Sequence, residues 1–282
     1  MSESDPAAAL GQAYFESLVD FGAASRRVSA RLEAIEGGEQ LTRFFVHYAA
    51  WNGRFANGVS ALVSLIGDSR ELFQEAGFPR AVADRSNYIA SYIFDAARDE
   101  YNDHINPIRD THRCMAQASL ISMARFYDLG ESVLDEADPP ALAAVNDAVL
   151  PGYTGEPRAG SGRVERLFYG LGYHLGSELL ADREFSLIDE YLRSRQPELV
   201  HHLMRSTIEL AGGKHRCYAW VGVHSGHGGG VEADHFEYAL AGARAALRYL
   251  VAADHRAAIA ALTEGFVAFE RDHARFFAIG NA

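Results

Sequence analysis

The chain has 282 residues, 48% of them hydrophobic, and Asp plus Glu outnumber Lys plus Arg by 38 to 26, a formal charge of −12. That acid excess argues against a nucleic-acid surface, which needs positive charge to displace counterions. Two distant cysteines, Cys114 and Cys217, cannot build a disulfide framework, and no apolar run of about 18 residues is present, so a cytoplasmic protein without a membrane span is expected.

The acidic start, MSESDPAAALGQAYFESL, lacks the basic region of a secretory signal. From there the dominant period is helical. LTRFFVHYAAWNGRFANGVSALVSLI, residues 41–66, spaces Phe44, Tyr48, Trp51, Phe55 and Leu62 by helical steps. Residues 80–103 repeat the pattern with Val82, Ile89, Ile93 and Ala97. Asn106-Pro107 ends that helix, and Asp110 or Thr111 is suited to cap the next. Pro139-Pro140 and PGYTGEPRAGSG, residues 151–162, read as loops. Residues 161–194 predict one long helix, with Ser161 as its cap and Pro197 beyond its end. GVHSGHGGG, residues 222–230, reads as a further loop, and residues 231–252 and 255–279 as two closing helices. Alternating strand patterns are not visible. The reading is all-α: one helical-bundle domain over 1–282, with seven to nine helices.

The chemistry-bearing residues are ionisable ones on apolar helix faces, because a buried carboxylate needs a cation, an arginine or a metal. Glu100 continues the column of Ile89, Ile93 and Ala97. His104 follows one turn later, and His112 opens the next helix across the Asn106-Pro107 break. The bland alternative pairs Glu100 with Arg98 or Arg109. Glu178 lies between Leu171 and Phe185 at heptad spacing, with His174 and Asp182 four residues to either side. Its bland alternative is a polar hydrogen-bonded layer. Glu232 and His235, in VEADHFEYAL, share a face at three-residue spacing, the Glu-x-x-His pattern by which a bundle helix offers two metal ligands. As a lone tetrapeptide it is a weak signal. His224 and His227 stand just before it in the glycine-rich stretch. Mixed carboxylate and imidazole donors suit iron or manganese, whereas structural zinc prefers thiolates and calcium prefers oxygen.

On these three regions the sequence resembles the haem-oxygenase-like di-iron oxidase and oxygenase superfamily, including its iron-containing redox enzyme group. DEYNDHINPIRDTHRCM is similar to the family's acid-then-histidine region, with Glu100 and His112 as ligands and His104 as the fallback for His112. GYHLGSELLADREF is similar to its long ligand helix, with Glu178. The last motif, His-x-x-x-Asp/Glu-x-x-His, is matched in its second half by Glu232 and His235; its first position is Gly228, with His227 one residue early. The resemblance implies a haem-oxygenase-like bundle holding two Fe(II) per chain, with dioxygen as co-substrate and an external electron donor. It implies oxidation of a small amino-acid-like or carboxylate substrate, by N-oxygenation, oxidative decarboxylation or C–C cleavage, in natural-product biosynthesis. A homodimer is compatible with that fold. Tyr173, Phe168 and Phe236 are available to wall a pocket but read more simply as core. His47 reads as a core or surface histidine rather than a haem ligand, and His201, His202 and His273 as exposed or capping residues. Two other readings stand beside this one: a metal-free helical binding or structural protein, and a thiaminase-type hydrolase with Cys114 or Cys217 as nucleophile.

Overall fold

A computed structural model describes residues 10–101, 109–135, 138–158, 160–225, 231–251 and 255–280, without the side chains of 131 and 231–234. The helices are α1 (Gln12–Glu16), α2 (Phe21–Glu33), α3 (Gly38–Asn52), α4 (Phe55–Gly67), α5 (Arg80–Ala83), α6 (Ser86–Tyr101), α7 (His112–Phe126), α8 (Pro140–Thr154), α9 (Arg163–Arg195), α10 (Pro197–Arg205), α11 (Ala219–His224), α12 (Val231–Tyr249) and α13 (His255–Phe277). Among the described residues the chain is all-α apart from one hairpin, β1 (Thr207–Leu210) and β2 (Gly213–Arg216). No helix among the described residues is long and apolar enough to cross a membrane.

The 33-residue helix α9, about 50 Å long by its rise per residue, is the axis of the bundle. Helices α2, α4, α8, α11, α12 and α13 all pack on it. Its closest neighbour is α13, and two glycines set that approach. A Cβ on Gly172 would stand 1.8 Å from the Leu262 carbonyl oxygen, and one on Gly265 would stand 1.9 Å from that of Tyr169. Only a residue without a side chain allows the two backbones so near. Around this crossing the core is aromatic: the Trp51 ring stacks on Phe276 at 4.5 Å and 11°, and on Phe269 at 6.0 Å and 18°.

Several boundaries differ from the sequence reading. Residues 41–66 form two helices, because the chain turns at Gly53-Arg54 between α3 and α4. Gly162, not Ser161, caps α9. Helix α8 runs through Pro151 to Thr154 and stops on Gly155, at φ 66°, so only the later part of 151–162 is a connector. Proline is tolerated there because the carbonyl it deprives of a donor belongs to exposed Asp147, within reach of water. Val82 is exposed rather than part of the buried column of α6. Among the described residues ten helices are nine residues or longer, more than the seven to nine expected, since one apolar stretch split in two and α10 starts afresh at Pro197. The hairpin was missed. Its four-residue strands are too short for alternation to register, but Ala211 and Gly212 both have positive φ (49° and 78°), the two-residue turn that suits strand twist.

Candidate functional site

Five of the described elements bring ionisable side chains to one small cavity of about 20 Å³, room for a water molecule or an ion. The end of α6 supplies Glu100, the start of α7 supplies His112, the middle of α9 supplies Glu178, the end of α11 supplies His224 and the second turn of α12 supplies His235. The apolar part of its wall includes Phe55, Val59 and Phe185.

Local chemistry fixes where these elements begin and end. The Thr111 hydroxyl accepts from the Cys114 amide at 3.0 Å, capping α7 and placing His112 as its first residue. One residue earlier, Asp110 is tied to the hairpin: its carboxylate meets Nδ1 of His215 at 2.5 Å, both side chains being buried. The other His215 nitrogen, Nε2, lies 3.0 Å from the Leu210 carbonyl. The hairpin thus anchors the start of the helix that carries His112.

The contacts run in pairs. Glu100 Oε2 is 3.2 Å from His112 Nδ1, and that same nitrogen is 3.3 Å from His224 Nε2. Glu178 Oε1 is 3.2 Å from His174 Nδ1, and its Oε2 is 3.6 Å from His235 Nδ1. Among the described residues, no three such groups are already gathered as a metal-holding set.

Proton placement gives the imidazoles a direction. His224 Nδ1 lies 2.6 Å from the Trp220 carbonyl, which only accepts, so Nδ1 carries a proton and the neutral ring turns a lone pair at Nε2 toward His112. His235 Nε2 lies 2.9 Å from Asp99 Oδ2. When that nitrogen donates to the carboxylate, the neutral ring turns a lone pair at Nδ1 toward Glu178. An outer acceptor that fixes the tautomer of an inward imidazole is the usual support of a metal-ligating histidine. The His224 ring is further fixed by stacking on Phe185, at 4.2 Å and 16°. Beside it, the Ser177 hydroxyl donates to the His174 carbonyl, so the Tyr153 hydroxyl, 2.8 Å away, donates to Ser177.

Of the residues singled out in the sequence, Glu100, His112, Glu178 and His235 line this one cavity. Glu232 is a helical residue of α12 whose side chain lies outside the described residues, as do His104 and His227 altogether. His224, weighed as a loop residue beside His227, is instead the last residue of α11 and reaches the cavity. His174 also turns inward, at 1% exposure, while Asp182 is half-buried. Glu100 meets His112 rather than Arg98, which stands 3.5 Å from Asp95 and Asp99. Asp99 was missed. It precedes Glu100, and nothing in a run of two acids tells which will hold an imidazole of another helix.

Elsewhere, His47 is buried, and so is His273, contrary to its reading as an exposed or capping residue. Tyr173, Phe168 and Phe236 are buried core residues outside the cavity lining. Cys217 is sealed in the core and burial pushes its thiol up, which makes it a poor nucleophile. Its neighbour His215 is engaged by Asp110 and Leu210. Compared with family models, curated proteins and solved structures, the chain matches none.

Proposed function

We propose that the chain is a non-haem di-iron, dioxygen-activating oxidoreductase on a haem-oxygenase-like helical bundle, acting on a small amino-acid-like or carboxylate substrate. The observation that carries this reading is the set of inward donors. Two carboxylates and three imidazoles, from five elements, line one cavity, and two of those imidazoles have outer acceptors that direct lone pairs inward. The donor chemistry fits: mixed oxygen and nitrogen ligands without thiolates suit ferrous iron. Half-buried carboxylates and imidazole lone pairs facing one another favour a cation between them.

Glu100, His112, Glu178, Glu232 and His235 would hold the metal, with His224 better placed than His227 for the remaining nitrogen ligand. Ferrous iron would supply the electrons that reduce dioxygen. The protein's own part is to position and to insulate. Asp99 and the Trp220 carbonyl hold His235 and His224 in one tautomer. Phe55, Val59 and Phe185 keep the wall apolar, so charge on the donors is poorly screened and acts strongly on whatever binds. The outcome for the substrate, N-oxygenation, oxidative decarboxylation or C–C cleavage, depends on which atom is presented to the centre.

The test is to add Fe(II) anaerobically, then admit oxygen with candidate amino acids and carboxylic acids, following oxygen uptake and products by mass spectrometry. Substrate-dependent oxygen uptake with an oxidised product is expected. Oxygen uptake that is indifferent to every acid, with no product, would count against the reading.

A further inference from the structure

A second cavity, of about 210 Å³, shares Asn52, Glu100 and His112 with the first. It lies where α3 breaks into α4, facing the start of α7. Much of its wall is small: Ala49, Gly53, Ala56 and Ala116. That is under the roughly 300–1,000 Å³ usual for a small-molecule pocket, and so favours a small ligand. The remainder of its lining includes the polar Asn57 and Thr111 and the ring of Trp220.

One guanidinium faces this space. Arg113 follows His112 on α7, about 100° further round the helix, yet both line the cavity. Its Nη1 donates to the Ala49 carbonyl at 2.6 Å, which pins the group at the C-terminal end of α3. Gly53 makes room for it, since a Cβ there would come 3.2 Å from Nη1. A guanidinium has five N–H donors, and the Ala49 bond uses one. The charge of Arg54 acts on Arg113 with the same sign and that of Asp138 with the opposite sign. Arg113 is an exposed residue, so an incoming anion reaches its guanidinium from solvent at this cavity wall. The first turn of α7 adds its positive dipole end on the same side.

We infer that this second cavity is the substrate chamber, with a substrate carboxylate on Arg113 and its reacting end toward Glu100 and His112. This rests on the reading of the neighbouring cavity as the oxygen-activating centre and deepens it. The chamber fits a short acid of amino-acid dimensions. Walls built largely of alanine and glycine, in so small a space, leave no room for a long acyl chain. A planar guanidinium matches a carboxylate with two parallel bonds, which fixes orientation as well as position. Arg113 is here a specificity and positioning residue.

The experiment compares acids with their own amides, hexanoate with hexanamide and phenylacetate with phenylacetamide. Binding to the full chain is measured by calorimetry and by the fluorescence of Trp220 on the wall. Metal-free protein is used first, so that carboxylate coordination to iron cannot account for the difference, and then protein loaded anaerobically with Fe(II). Each acid is expected to bind about tenfold or more tightly than its amide, as a charge-assisted hydrogen bond implies. Arg113→Gln should bring the acids to the level of the amides while iron uptake stays at the wild-type level. Because Arg113 also ties the end of α3, Ala56→Met provides a second variant. It fills the chamber while keeping Arg113 and its bond to the Ala49 carbonyl, and should weaken acid and amide alike. Acids binding no better than amides, or wild-type binding in Ala56→Met, would overturn the chamber. Iron uptake with no acid preference sinks the chamber and leaves the metal centre standing. An acid preference in a protein that takes up no iron supports the chamber and counts against the metal centre.

Discussion

Helix α9 carries two inward glutamates six residues apart, Glu178 half-buried and Glu184 buried, and they live in different chemistry. Glu178 lines a cavity with donors from four other elements. Glu184 lies 2.9 Å from His273 Nε2 through Oε2 and accepts from the Tyr48 hydroxyl at 2.7 Å through Oε1. Both members of that second acid–imidazole pair are sealed, at 2% and 1% exposure. The rings of Trp51, Phe269 and Phe277 close around His273. Neither Glu184 nor His273 lines the candidate cavity. The residue types are the same in both places. What differs is space, and the presence of outer acceptors that decide which way a nitrogen points. A carboxylate and an imidazole with room between several helices can take a ligand; the same pair without room is part of the packing.

The contrast is broken most severely by His273→Ala. Removing the imidazole leaves the buried acid without that partner and opens a hole in the aromatic packing, and a loss of about 2–5 kcal/mol in urea unfolding is expected. Iron uptake by the protein that still folds should be unchanged. If His273→Ala instead abolished iron binding with little loss of stability, the two regions would have to exchange roles.

Glu178→Ala should do the reverse. Iron uptake falls, while the melting temperature of the metal-free protein moves far less than in His273→Ala, because water in the cavity can take the place of the lost carboxylate. Next in size is Asp99→Asn. The carboxylate that holds His235 Nε2 is lost but its shape is kept, so a 10–100-fold loss of metal affinity is expected, as for other outer partners of ligating histidines. Competition with a chelator of known affinity measures it.

How much of this was legible in the sequence follows from the same contrast. Column position on a helix placed Glu100 and Glu178 inward, and both are. It could not separate Glu178 from Glu184, because periodicity reports burial and not whether the space beside a side chain is filled. His273 read as a capping residue, since a lone histidine gives no sign of a carboxylate on another helix. Asp99 and Arg113 were silent for a related reason. Each acts through a partner distant in sequence, His235 for one and the Ala49 carbonyl for the other. The all-α class and the long α9 were readable because the apolar period persists over many turns. The hairpin was not, since two four-residue strands carry too few positions to show a period. Yet it holds Asp110 and so the start of α7.

The smallest expected effect concerns a third carboxylate, facing α9 from α13. Burial raises the Asp272 carboxyl above its ordinary value of 3.8, while the Tyr173 hydroxyl and Arg275 oppose the rise. A carboxyl whose pKa is higher in the fold than in the open chain favours the fold when protonated. That contribution is complete below the ordinary value and is lost as pH rises through the raised one. The melting temperature of the wild type minus that of Asp272→Asn should therefore decline with rising pH through the carboxylate range and level off above it. A difference that grew with pH would contradict the burial of this group.

The central claim is that the open cluster, and not the sealed one, holds metal. Anaerobic Fe(II) loading followed by iron and protein quantitation on the wild type, Glu178→Ala, His235→Ala and His273→Ala tests it in one series. About two irons per chain are expected in the wild type and in His273→Ala, as for a carboxylate-bridged pair in a helical bundle, with the count falling in the other two. No iron uptake by the wild type, or an iron content that Glu178→Ala and His235→Ala leave unchanged, would contradict it.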